Sequence, residues 1–307
     1  LHLLSRRQRQ MCIRDRLHLE RAYRKFFREP GTGFPKFKSK HGSRKSYTTN
    51  VVNGNIWISE GRLRLPKVGK VKIRQHREIP AGWRLKSVTV SMEPSGKYYA
   101  SLLFSFELCE NQAGTVRAEK VLGIDYAMQG MAVLSTGEKC ENPGYYRQAQ
   151  KRLAREQRKL SHCQKGSRNY QKQKRKVARR HEKVRNQRKD YLHKLSFRLA
   201  EEYDAVAVED LNLKAMSRSL NFGKSVLDNG YGSFLNMLSY KLEERGKVLV
   251  KTDRFYPSSK KCSKCGKVKE TLELSERTYH CGCGNHMDRD VNAAINIREE
   301  GKRLLCA

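Results

Sequence analysis

The chain of 307 residues contains no long apolar run: the longest, around Leu102–Phe106, falls far short of the ~18 residues that a membrane-spanning helix needs. No hydrophobic segment stands at the start either, where Leu1–Arg16 is basic and interrupted throughout, so no secretory signal is expected and the chain reads as cytoplasmic. Acidic residues are scarce, 31 Asp and Glu against 65 Lys and Arg, which leaves a formal charge of +34 and a pI of ≈ 10.1. An excess of that size repels itself in a compact monomer unless a polyanion neutralises part of it, which excludes an ordinary metabolic enzyme and favours a nucleic-acid partner. The cysteines are not distributed as a disulfide framework would be. Five of the nine (Cys12, Cys109, Cys140, Cys163, Cys306) stand singly, whereas Cys262, Cys265, Cys281 and Cys283 are clustered, the pattern of a metal site. What is present is enough for a core: 37% hydrophobic residues, to which 22 glycines add, approach the globular norm.

Along the chain the periodicity changes several times. Leu17, Leu19, Tyr23, Phe26 and Phe27 have the spacing of an amphipathic helix, and a basic loop follows. From about Tyr47 to Leu108 the period is two. Asn53-Gly54 is the dipeptide of a tight hairpin, Val88, Val90 and Met92 alternate with polar residues, Glu93–Gly96 turns, and Leu102, Phe104, Phe106 and Leu108 alternate on the way back. An antiparallel β-domain, closed as a small barrel, is expected there. After a polar linker at Glu110–Ala118, Val121–Asp125 reads as a short buried strand with Met131–Leu134 as its hairpin partner. Residues 147–198 read as long helices broken around Gly166-Ser167, with 20 Lys and Arg against 3 acidic residues, so half of the net charge lies there. Asp204–Glu209 is a second buried strand, Ser233–Glu244 a helix, Lys247–Val250 a third strand, and a last helix begins near Val291. Strands alternating with helices predict a mixed α/β sheet, interrupted by the cysteine cluster.

That cluster reads C-x2-C-x15-C-x-C. Two short pairs each turn two thiolates inward, and four thiolates close a tetrahedral structural zinc site; sulfur ligands without carboxylates favour zinc over magnesium. His280 adjoins Cys281 and is the alternative ligand, because His280 to Cys283 restores a two-residue gap. Three acids fall at the edges of the predicted sheet: Asp125 ends one strand, Glu209 ends another, and Asp290 opens the last helix. A carboxylate closing an apolar strand emerges at the sheet rim. Three of them suit two magnesium ions about 4 Å apart, one activating water and the other stabilising a leaving oxygen. Asp210 and Asp288 stand next to these acids and are the alternatives. The basic helices carry the footprint of phosphate-backbone binding, with Lys151, Arg152, Arg155, Lys174, Arg175, Arg179, Arg180 and Arg185 as contact candidates. Tyr145, Tyr146, Tyr170 and Tyr191 are placed to stack on bases or to pack. No base-reading helix motif is visible, so the sequence does not reveal a base preference.

GID at Gly123–Asp125, VEDLNLKAM at Val208–Met216, YPSSKKCSKCG at Tyr256–Gly266 and CGCGNHMDRDVNAAINI at Cys281–Ile297 occur in that order. Together they closely resemble the TnpB (OrfB) family, transposon-encoded proteins related to type V CRISPR nucleases. The resemblance spans residues 17–307 and implies an RNase H-like (RuvC) nuclease domain at 119–255 with basic helices at 147–203. It further implies a zinc ribbon at 256–286, a final RuvC-like segment at 287–307, and a wedge-type β-barrel with a remnant of a helical recognition domain at 17–116. It implies Asp125, Glu209 and Asp290 as catalytic acids, magnesium as catalytic and zinc as structural cofactor, and guide RNA and target DNA as partners in a prokaryotic cytosol. The reaction implied is hydrolysis of DNA phosphodiesters at sites chosen by RNA pairing beside a short flanking motif. Two departures stand out: Leu1–Arg16 does not resemble family sequence and the family's first segments are not found ahead of Leu17, so an N-terminally shortened member is expected, and the second cysteine pair is C-x-C rather than C-x2-C. The alternative is a non-cleaving zinc-containing nucleic-acid-binding protein.

Overall fold

A computed structural model describes residues 16–36, 45–107, 120–127, 130–213, 215–216, 228, 230–273 and 275–306. The leader, apart from Arg16, and the linker at Glu110–Ala118 therefore lie outside the described residues. The chain divides into two compact units, one running to Glu93 with Lys97–Ser105, the other formed by Pro94–Gly96 and the residues from Phe106 onward.

In the first unit, helix α1 covers residues 16–28, as the apolar spacing predicts. Six strands follow: β1 (Ser46–Asn50), β2 (Trp57–Ser59), β3 (Arg62–Leu65), β4 (Gly69–Lys72), β5 (Arg84–Met92) and β6 (Tyr98–Ser105). The alternation Arg62-Leu63-Arg64-Leu65 buries both leucines and exposes both arginines, and these leucines form a small core with Ile56 and Val88. Among the described residues the strands make two antiparallel three-stranded sheets, β1-β5-β6 and β2-β3-β4, rather than one closed barrel. The Asn53-Gly54 turn forms, with both residues at positive φ, 48° and 66°. It connects the two sheets instead of closing a hairpin, because β1 pairs over five residues with β5 while β2 folds onto β3. The hairpin turn is Glu60-Gly61, also at positive φ (49° and 68°), the backbone that a two-residue connection requires.

The second unit contains β7 (Val121–Tyr126), β8 (Ala132–Leu134), β9 (Lys139–Cys140), α2 (Tyr145–Ser161), α3 (Arg168–Glu202), β10 (Ala205–Glu209), α4 (Tyr231–Glu243), β11 (Val248–Thr252), β12 (Thr278–His280), β13 (His286–Asp288) and α5 (Arg289–Leu305). Ser167 separates α2 from α3 where the break is predicted, capping α3 by accepting from the Tyr170 N–H at 3.1 Å. The five-stranded sheet has the order β11-β10-β7-β8-β9. β7, β10 and β11 are parallel, β8 pairs antiparallel with β7, and β9 pairs antiparallel with β8.

Strand alternation determines what lies on each face. Leu122 and Ile124 of β7 and Val206 and Val208 of β10 are buried with Leu192, Leu195 and Leu199 of α3 and Phe234, Leu238 and Leu242 of α4. The residues between them are small and meet α5. A Cβ on Gly123 would stand 2.0 Å from the Ala294 carbonyl oxygen, and one on Gly301 would stand 2.4 Å from the Ala207 Cβ. Helix α5 thus lies almost on the backbone of β7 and β10. By the same period of two, Asp125 and Glu209 belong to the α5 face. Among the described residues no helix is long and apolar enough to cross a membrane.

Candidate functional site

The four clustered cysteines come together as their spacing predicts. Their sulfurs all lie within 4.8 Å of one another, with Cys262 Sγ 3.7 Å from Cys283 Sγ and Cys265 Sγ 3.6 Å from Cys281 Sγ. Tetrahedral zinc with ligands at ~2.3 Å sets its sulfurs about 3.8 Å apart, so the donor set suits structural zinc in chemistry and in size. Each pair sits on a tight turn: the Gly266 N–H donates to the Cys262 carbonyl and the Gly284 N–H to the Cys281 carbonyl, both at 3.0 Å. The second turn, with Gly284 at φ 84°, accommodates the shorter C-x-C spacing. Burial raises the Cys262 thiol, but the backbone N–H groups of Cys265 and Lys264 and the Asn285 amide outweigh it and bring the pKa down to about 6, where the thiolate that binds metal prevails. His280 is not a member of the cluster; its ring lies tilted against that of His286, centroids 4.3 Å apart.

Removing the metal is expected to unfold this segment, because its sequence offers little apolar surface in exchange for four converging thiols. Chelation to zero zinc per chain should abolish amide protection across 256–288 and loosen the first turn of α5. Hydrogen exchange unchanged after complete zinc loss would contradict this.

The three acids arrive from separate elements. Val208 of β10 pairs with Ile124 of β7, so Glu209 and Asp125 leave adjacent parallel strands side by side at their carboxyl ends, where open α/β sheets bind ligands. Asp290 comes in at the first turn of α5. Burial first, then the neighbouring Glu209 and Asp290 carboxylates, push the Asp125 carboxyl well above its ordinary range, against opposing pulls from the Tyr126 N–H and Arg289. Burial also raises Glu209, offset in part by the Ser258 hydroxyl, which donates to Glu209 Oε1. Tyr231, fully buried at the start of α4, has its phenol raised by burial and then by Asp125 and Glu209. Carboxylates that raise the Asp125 carboxyl in this way occupy one locality with it. They are not gathered as closely as the thiols: among the described residues the four cysteines alone form a cluster of at least three His, Cys, Asp or Glu ligand atoms.

The alternatives have other work. Asp288 is the N-cap of α5, accepting from the Asp290 and Val291 N–H groups and pairing with Lys139 Nζ at 2.6 Å. Asp210 faces away, paired with Arg254 at 2.7 Å and Lys251 at 3.7 Å. The candidate phosphate contacts on α2 and α3, Lys151, Arg152, Arg155, Lys174, Arg175, Arg179, Arg180 and Arg185, are all exposed. Tyr145, Tyr146, Tyr170 and Tyr191 are half-buried, and the Tyr191 hydroxyl donates to the Glu141 carbonyl at 2.6 Å. Ser258, Tyr231, Asn292 and Asn296 are polar groups of this region that the sequence reading passes over. The two asparagines carry a usable signal, being polar residues at i and i+4 on the apolar stripe of the last helix.

Comparison with known proteins identifies the family. Residues 103–220 match the OrfB family described as "Probable transposase", and residues 231–297 match the family described as "Cas12f1-like, TNB domain". A protein of Streptomyces pristinaespiralis named "Putative RNA-guided DNA endonuclease" is 38% identical over 287 residues, covering 92% of this chain and 69% of its own length. InsQ of Escherichia coli (strain K12), named in the same words, is 33% identical over 314 residues, covering 96% of this chain and 74% of its own. Among solved structures, a chain of a Cas12f1–sgRNA–target DNA complex superposes with a TM-score of 0.49 at 19% identity, over 70% of this chain and 46% of that one, a similarity too low to argue from. The identity and coverage of the two bacterial relatives, with the OrfB match across β7 to β10 and the TNB match across α4 to α5, establish that the chain belongs to the TnpB (OrfB) family, related to Cas12f.

Proposed function

We propose that the chain is a magnesium-dependent endonuclease that hydrolyses DNA phosphodiesters under RNA guidance, with Asp125, Glu209 and Asp290 as its catalytic acids. The observation that carries this reading is the meeting of three carboxylates from β7, β10 and α5 in one partly buried locality, where Glu209 and Asp290 make the ionisation of Asp125 harder. Their hard oxygen donors, and the repulsion that a divalent cation would relieve, fit magnesium. Bound there, the metal would supply an activated water and charge stabilisation at the leaving oxygen. The protein's own contribution is placement. The β7–β10 register keeps Asp125 beside Glu209, and the Asp288 cap fixes the helix start that presents Asp290. The names of the two relatives support RNA guidance and a DNA substrate, with guide RNA and target DNA as partners and pairing rather than side chains reading most of the sequence. On this reading the first unit is the wedge-type domain, the second the RuvC-like nuclease with its inserted ribbon, and the exposed cations of α2 and α3 the backbone clamp.

The test is divalent-dependent cleavage of single- and double-stranded DNA by protein purified with its RNA, wild type beside Asp125→Ala. Cleavage by wild type alone supports the reading. Tight binding without cleavage by either protein would replace it with a nucleic-acid-binding role.

The clamp has its own signature in salt. Each duplex phosphate neutralised contributes about −0.9 to the slope of log affinity against log salt. Removing Arg175 and Arg179 together should therefore flatten that slope by about 2 and weaken binding to all sequences alike. A slope that is unchanged in the double variant would remove α3 from the clamp.

A further inference from the structure

Glu209 is held by a segment that belongs to the cysteine cluster. Ser258 is 5% exposed and its hydroxyl donates to Glu209 Oε1. Four residues later comes Cys262, a member of the cluster. The run between them is laced to α5 by two buried asparagines one turn apart. Asn296 Nδ2 donates to the Ser258 carbonyl at 2.8 Å and to the Lys261 carbonyl at 2.6 Å. Asn292 Nδ2 donates to the same Lys261 carbonyl at 2.7 Å, while its Oδ1 accepts from the Ser263 N–H at 3.0 Å. The Tyr256 hydroxyl closes the other flank on the Asn296 carbonyl at 3.3 Å. The Ser258 backbone is thus pinned to the helix that presents Asp290, and its side chain is pinned to the acid of β10.

We infer that Ser258 is a positioning residue: it orients the Glu209 carboxylate and ties that orientation to the four-cysteine loop and to α5. The inference rests on the proposed role of Glu209 as a metal ligand. A glutamate on a strand end has three side-chain torsions to settle, and a carboxylate only accepts hydrogen bonds. With Oε1 engaged by a donor that cannot move, the rotamer is chosen before any cation arrives, and Oε2 is left to bind it. The asparagines extend the same logic, since the loop that holds Ser258 cannot shift without breaking bonds to the helix carrying Asp290. Glu209 and Asp290 are therefore positioned by one braced unit instead of by two independent elements.

The experiment compares full-length, zinc-loaded wild type, Ser258→Ala, Ser258→Thr and Asp125→Ala. Manganese affinity is read by electron paramagnetic resonance of the free ion, and cleavage kinetics are read separately. Ser258→Ala should bind manganese about 10- to 100-fold more weakly and lose a similar factor in kcat, the usual loss when a metal ligand's hydrogen-bond partner is removed. Its KM for DNA and its zinc content should match wild type, and Ser258→Thr, which keeps the hydroxyl, should recover most of both losses. Wild-type manganese affinity and rate in Ser258→Ala would overturn the inference while leaving the nuclease reading intact. So would a threonine variant as impaired as alanine, because the loss would then belong to packing. A wild type that neither binds manganese nor cuts in an Asp125-dependent way would remove both together.

Discussion

Replacing Asp125 with asparagine is expected to abolish cleavage and, in magnesium-free buffer near neutral pH, to make the protein more stable. The loss of activity follows from removing the carboxylate at the centre of the three: a ligand worth about 4 kcal/mol in the transition state corresponds to a rate loss of about a thousandfold. The gain in stability follows from linkage. Burial and the Glu209 and Asp290 carboxylates raise the folded-state pKa of Asp125, so the folded chain holds that proton more tightly than the unfolded chain does. Stability associated with the proton is complete below the unfolded carboxyl range and is lost as pH rises through the folded value. Above that value an ionised Asp125 is a standing cost that asparagine, equal in shape and neutral, does not carry. A gain of ~1 kcal/mol would appear as a rise in Tm of about 2–4 °C for a unit of this size. Added magnesium should raise the Tm of wild type, through binding to the folded state alone, and leave the variant unmoved. Melting curves with and without magnesium check both parts, and a variant that is less stable than wild type without magnesium would contradict the electrostatic account.

Gly123→Ala is expected to be more damaging than its size suggests. In a strand interior alanine normally gains 0.5–1 kcal/mol over glycine through lower backbone entropy in the unfolded chain, about the only term in its favour here. Against it stands a Cβ placed 2.0 Å from the Ala294 carbonyl oxygen and 2.6 Å from the Arg298 backbone nitrogen. Both are backbone atoms of α5, so no side-chain rotation relieves the overlap. Overpacking of this kind costs about 3 kcal/mol or more, and the net loss should lower Tm by several degrees. The helix must lift from β7, which carries Asp290 away from Asp125, so activity should fall further than stability alone accounts for. Val121→Ala, a deletion in the same strand, serves as the control. If Gly123→Ala melts and cuts as wild type does, the close seating of α5 is wrong.

Much of the architecture was legible because it is local. The apolar runs Val121–Ile124 and Ala205–Val208 are too short for helices and too apolar for loops. The break at Gly166-Ser167 needs only a glycine and an N-cap serine, and the cysteine spacing leaves little freedom for the thiolates. Asp125 and Glu209 were legible as strand ends. The Asn53-Gly54 turn formed as its dipeptide demands, yet whether its flanking strands paired with each other was a question of partners. β5 offered β1 a longer ladder than β2 did, and turn chemistry cannot see that competition. Asp210 and Asp288 stand one and two positions from Glu209 and Asp290, and only the ion pairs to Arg254 and Lys139 and the helix cap separate them.

The sequence by itself determined the charge and where half of it lies, the four-thiolate site, the order of the larger strands and helices from β7 to α5, and the family, since each of these is written in residue type and short-range spacing. The tertiary structure alone decided that small residues on one face of β7 and β10 let α5 settle onto their backbones. It alone brought Asp290 to the two strand-end acids, and it ran the hydrogen bonds of Ser258, Asn292 and Asn296 from the cysteine loop to Glu209. These are contacts between segments tens of residues apart, made by sheet register and helix docking, and no local pattern encodes them.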